Sequence, residues 1–165
     1  MSKAAWIDLV LFLHVMGAIA ALGPTLSYGL WTRLGDRASA GERAFVLRGI
    51  SWVDQHLATP AYMAQAVTGI LLILLLGVSF LHTAWLLVGV AIYVVLVLFA
   101  MIVYAPVVRR QIEAAERVAA QPSEQAAGEY RAIAARARSY GIVAVVLTAA
   151  IVFFMVVKPA LWSAG

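Results

Sequence analysis

Cysteine is absent from the 165 residues, which excludes disulfides, thiolate metal ligation and cysteine nucleophiles at the outset. Charge is also scarce. Asp, Glu, Lys and Arg make up 12% of the chain, against roughly a quarter in a typical soluble domain. There is no internal repeat, glycine-rich phosphate loop, G-x-S-x-G elbow or H-E-x-x-H pair, so the common nucleotide-binding, hydrolase and zinc-protease signatures are missing. What fills the chain is apolar sequence, 64% hydrophobic with a mean hydropathy of +0.95. That composition belongs to a single membrane domain. The net charge of +4 does not indicate nucleic acid, because the basic residues flank apolar blocks and alternate with Asp36, Glu42, Glu113, Glu116, Glu124 and Glu129. Membrane topology and anionic lipid headgroups account for them.

All ten arginines fall in two stretches, Arg33 to Arg48 and Arg109 to Arg138, whereas Gly77 to Thr83 carries no Asp, Glu, Lys or Arg. Cytoplasmic loops collect Lys and Arg, so the first and third loops are expected inside and both termini outside. A hydrocarbon core of about 30 Å takes about twenty helical residues, which puts four spans at about 5–31, 52–77, 84–108 and 139–158. The fold expected is an all-α integral membrane four-helix bundle. Its first block is too long and too weakly basic at its start for a cleaved signal peptide. Trp6, Trp31, Trp52, Trp85, Tyr104 and Trp162 lie near the predicted span ends, the level preferred by amphipathic rings. Ser51-Trp52-Val53-Asp54 has the S-x-x-D form that starts a helix, and Pro24 and Pro60 predict bends. The third loop, 109–138, is rich in Ala, Glu, Gln and Arg, with an i to i+4 pair of Glu113 and Arg117, and is interrupted at Gln121-Pro122-Ser123. Helices three and four are therefore expected to extend into the cytoplasm as a hairpin turning near Pro122.

Polar residues within the spans are costly in hydrocarbon and mark where chemistry can be. Counted at about 1.5 Å per residue, His14 lies roughly 13 Å below the outer surface, and Met63, Gln65, Tyr93 and Thr148 come out at similar depth. These residues are expected to form a polar belt. Gly17, Ala18 and Ala21 follow His14 on the same helix face, leaving a groove. Gly17 and Ala21 suit close helix packing, and the same groove could admit a haem ligated by His14, with Met63 as a conceivable second ligand. A neutral histidine bonded to Tyr93, Gln65 or Thr148 is the structural alternative, and a proton relay is a third. His56 and His82 differ from His14 in predicted depth by more than about 10 Å, so a pair of axial histidines is not expected. No other metal site is expected.

Leu13-His14-Val15-Met16-Gly17-Ala18, Trp52-Val53-Asp54 leading to Thr59-Pro60, Tyr130-Arg131 with Arg136 and Arg138, and Met155-Val156-Val157-Lys158-Pro159 resemble a bacterial family of predicted integral membrane proteins catalogued as a domain of unknown function. The resemblance implies four helices and bacterial origin, and supplies no reaction; with the arginine distribution it gives an expected place in the bacterial inner membrane with periplasmic or extracellular termini. A looser likeness runs to the four-helix protoporphyrinogen oxidases and to copper-resistance membrane domains, which also open with a histidine in an apolar first helix. The oxidases pair it with a lysine in the third helix, whereas this chain has only Lys3 and Lys158. The expectation is a non-catalytic accessory or structural subunit of a membrane assembly, in contact with lipid and with other subunits or its own copies. The alternative is a b-type haem or electron-transfer protein using His14.

Overall fold

The computed structural model describes residues 2–159; Trp162 lies outside them. Four helices, α1 (Lys3–Asp36), α2 (Ala40–Leu76), α3 (Ala84–Ala120) and α4 (Glu124–Val157), are each long and apolar enough to cross a membrane. Helices of 34 and 37 residues are about 51 and 55 Å long, roughly 20 Å more than a hydrocarbon core requires. All four continue past the apolar region at the arginine-rich end, where the expectation gave such an extension only to α3 and α4.

The caps explain the excess length. Ser39 accepts from the Glu42 amide, and the Glu42 carboxylate accepts from the Ser39 amide at 2.9 Å, closing a capping box that starts α2 at Ala40. The helix does not begin at Ser51, whose hydroxyl instead accepts from the Gln55 amide nitrogen at 3.0 Å. Hydropathy marks where apolar sequence begins, and Ala40 to Val53 is helical without being apolar. The expected first loop thus shrinks to the turn around Arg37 to Ser39. The other turn falls at Gln121 to Ser123, where Ser123 caps α4 by accepting from the Ala126 amide at 3.1 Å. Gly77 ends α2 at φ 66°, a left-handed conformation that glycine adopts without penalty.

Pro24 leaves α1 unbroken. Pro60 acts differently. Two residues before it, Asp54–Ala58 widens into a π-turn in which the Thr59 amide donates to the Asp54 carbonyl. The same device recurs in α3, where Ala100–Tyr104 widens ahead of Pro106 and the Ala105 amide donates to the Ala100 carbonyl. An inserted residue in one turn lets the chain pass a proline that has no amide to donate.

The helices pair as two antiparallel hairpins, α1 with α2 and α3 with α4. Small residues permit close approach in each: a Cβ on Gly17 would stand 2.5 Å from the Gln65 amide nitrogen, and one on Gly89 would stand 2.7 Å from Met155 Cε. Between hairpins, α2 and α3 are widely spaced in their apolar halves: Thr59–Leu76 and Ala84–Phe99 nowhere bring their α-carbons within 8 Å. The hairpins join at the basic end, where Ala44 and Leu47 of α2, Ala114, Ala115 and Val118 of α3, and Tyr130 and Ala134 of α4 form the buried core. Alanine dominates it, so the helices come close enough to exclude water without large side chains.

Candidate functional site

His14 reaches α2, at a residue not assigned to the belt. Its Nδ1 lies 2.7 Å from the Thr68 hydroxyl, and that hydroxyl is also 2.7 Å from the Ala64 carbonyl oxygen. A carbonyl cannot donate, and a threonine hydroxyl has one hydrogen, so Thr68 donates to Ala64 and accepts from His14. The proton of the neutral ring therefore sits on Nδ1, assigned from the network around it, and Nε2 carries a lone pair. One turn below, the Gln65 amide donates to the His14 backbone carbonyl at 2.7 Å. The Gln65 side chain lies over Gly17, where a Cβ would collide with it, and the His14 ring edge lies 3.5 Å from where a Cβ on Gly69 would be. Gly17 and the buried Ala21 therefore face α2 itself.

The other belt residues are dispersed. Tyr93 donates to the Tyr62 carbonyl at 2.7 Å, tying α3 to α2, and the Tyr62 hydroxyl is 3.3 Å from that of Thr25 on α1. Thr148 is buried on α4 at 2% exposure, its hydroxyl without a hydrogen-bond partner among the described residues. Met63 is 45% exposed; it lies two residues, about 200° of helix, from Gln65 and so points away from His14. The space above Gly17 is occupied by Gln65 and Met63 does not face it, so within that groove His14 Nε2 is the one histidine nitrogen available to an iron. Among the described residues no three His, Asp or Glu side chains come together in a way that could hold a metal ion.

A second polar cluster escapes sequence reasoning. The two π-turns carry Asp54 and Tyr104, and both lie near Tyr28 of α1. Thr59 donates to the Asp54 carboxylate at 3.4 Å. The Tyr28 hydroxyl is buried beside that carboxylate without a hydrogen bond of normal geometry. The matched prolines, Pro60 and Pro106, are the signal that could have exposed the pairing.

At the basic end, Asp36 closes α1 onto the rest. Its carboxylate accepts from the Tyr130 hydroxyl at 2.9 Å and from Arg138 at 3.3 Å, and Arg43 Nε stands 3.8 Å away. The Arg43 guanidinium lies 4.9 Å above the Tyr130 ring. Burial, then the hydrogen bond to Asp36 and its negative charge, pushes the Tyr130 phenol up to about 12. Ion pairs Arg48 to Glu116 and Arg117 to Glu129, both at 2.9 Å, join α2 to α3 and α3 to α4. Arg117 thus pairs across the hairpin and not with Glu113 as expected, because the neighbouring helix presents a carboxylate within reach.

Four apolar helices crossed by structural polar contacts, with a charged alanine-rich bundle at one end, define a multi-span integral membrane protein. The chain belongs to the family described as predicted integral membrane protein (DUF2269), which matches residues 8–159. No curated protein and no solved structure matches it.

Proposed function

We propose that the chain is a non-catalytic accessory or structural subunit of a bacterial inner-membrane assembly, with both termini outside and the basic bundle in the cytoplasm. The carrying observation is the wide spacing of α2 and α3 in the apolar region, where the α-carbons of Thr59–Leu76 and Ala84–Phe99 stay more than 8 Å apart and one side-chain bond, Tyr93 to the Tyr62 carbonyl, spans the gap, while the basic end is packed. A subunit held together at its cytoplasmic end leaves its membrane hairpins to pack against partner subunits or copies of itself. The intramembrane contacts support the reading: Gln65 to the His14 carbonyl, Tyr93 to the Tyr62 carbonyl and His14 to Thr68 each tie one helix to another.

The second reading, a b-type haem or electron-transfer protein, has one feature in its favour: the hydrogen bond of His14 is made by Nδ1, which leaves Nε2 without a partner among the described residues. Native mass spectrometry of the chain extracted from its own membrane tests both. Defined polypeptide partners or additional copies above the 17.7 kDa chain, with no Soret absorption, are expected. A single chain alone contradicts the subunit reading, and a stoichiometric Soret band that disappears in His14→Ala replaces it with the haem reading.

A further inference from the structure

Between α3 and α4 at the basic end lies a cavity of about 440 Å³ lined by residues of both helices. Its end nearest the turn is closed by the 2.9 Å pair of Arg117 with Glu129. That pair sets the antiparallel register. Seven residues back along α3 and seven forward along α4, about 10 Å nearer the membrane, Arg110 stands level with Arg136, and both line the same cavity. Arg43, Arg48, Arg117, Arg131 and Arg138 all have carboxylate partners. Among the described residues Arg110 and Arg136 have neither a carboxylate within 4 Å nor a hydrogen bond. The one further charge in the cavity is Glu113, so the membrane-facing end carries two unpaired cations against one carboxylate. Val107 and Ile133 supply apolar wall.

We propose that this groove binds the phosphate of an anionic phospholipid headgroup through Arg110 and Arg136. The assignment rests on the apolar spans ending near residues 108 and 139, and is independent of the subunit reading. Two or three residues from those ends is about 3 to 5 Å, the level of lipid phosphates. A guanidinium matches phosphate oxygens in a two-pronged geometry, and two from facing helices can hold one phosphate while Val107 meets the top of the acyl chain.

The full chain, delipidated in detergent, is titrated with phosphatidylglycerol and with phosphatidylcholine and read by native mass spectrometry. Phosphatidylglycerol should be preferred. At about 1 kcal/mol per arginine, R110Q/R136Q should lose roughly 25-fold of that affinity. E113Q should bind more tightly than wild type. R33Q/R37Q removes two other unpaired arginines at the same charge cost and should retain most of the affinity. Unchanged helical circular dichroism shows that each variant is folded. Equal losses in the two arginine pairs, or no gain in E113Q, would show a diffuse field and overturn the site. Displacement of the lipid by inorganic phosphate at equal concentration would assign the groove to a soluble phosphate and overturn the lipid.

Discussion

Replacing Asp36 with alanine removes the group on which the basic end converges. Tyr130, 4% exposed, loses a hydrogen bond of 2.9 Å to a carboxylate, an interaction worth about 1.5 to 3 kcal/mol when one partner is charged and the other is left buried. Arg138 is 60% exposed, and its 3.3 Å contact adds at most a few tenths of a kcal/mol after solvent screening. Arg43, whose side chain is 20% exposed, loses its counter-ion at 3.8 Å but keeps its bond to the Asp36 backbone carbonyl and its place over the Tyr130 ring, which hold the guanidinium where it is. The expected cost is about 2 to 3 kcal/mol, confined to the core of Ala44, Leu47, Ala114, Ala115, Val118, Tyr130 and Ala134. Hydrogen exchange of the protein in lipid nanodiscs should show amides of Ala114 to Val118 exchanging roughly 25- to 150-fold faster, with the region around His14 and Thr68 unchanged. Tyr130→Phe should reproduce most of the effect, and the double variant should fall short of the sum of the two because the residues share one bond. Exchange that rises no more in Asp36→Ala than in Glu124→Ala, which breaks only an exposed ion pair, would refute the reasoning.

The Tyr130 phenol should titrate near 12 in the folded protein, above its unfolded value near 10. Its contribution to stability is therefore complete below about pH 10 and is lost as pH rises toward 12; tyrosinate absorbance should show this late titration, and Asp36→Asn should bring it earlier. Gly17→Val places a side chain where the Gln65 amide sits and should cost about 1 to 3 kcal/mol. His14→Ala removes one membrane hydrogen bond worth about 0.6 kcal/mol on average and leaves a small gap. Thermal unfolding in one detergent should rank Gly17→Val below His14→Ala, and the opposite order would make His14 more than a helix contact. Phe at Tyr93 removes the bond to the Tyr62 carbonyl, the polar link between hairpins in the apolar region, and should raise the distance between spin labels at Val67 and Val94 while leaving the basic end intact.

The number of helices, the apolar blocks and the turn at Pro122 can be read from the chain because each depends on local composition and on punctuation by proline and serine. The helix starts are less accessible. Arg33 to Arg48 is charged and so looks like a loop, yet Ser39 and Glu42 already form the S-x-x-E pattern of a helix start. Depth within the membrane can be counted along one helix at a time, which places His14 and Gln65 at one level. Rotation cannot be obtained that way, because it depends on which helix lies next to which. Hence Thr68, on the same face as Gln65, meets the ring, whereas Met63 at similar depth turns outward. The approach of Asp54 and Tyr104 to Tyr28 is further hidden, since it depends on two π-turns that shift the helical phase by about one residue each.

The orientation of the chain in the membrane turns on which side each end of the bundle faces. Single cysteines introduced at Ser79, between α2 and α3, and at Ser123, between α3 and α4, are both exposed on the protein and the chain has no cysteine of its own. In intact cells an impermeant thiol reagent should label the Ser79→Cys variant, and should label the Ser123→Cys variant only after the membrane is opened. Labelling of the Ser123→Cys variant in intact cells with protection of the Ser79→Cys variant would invert the topology, put the basic bundle outside, and contradict the account.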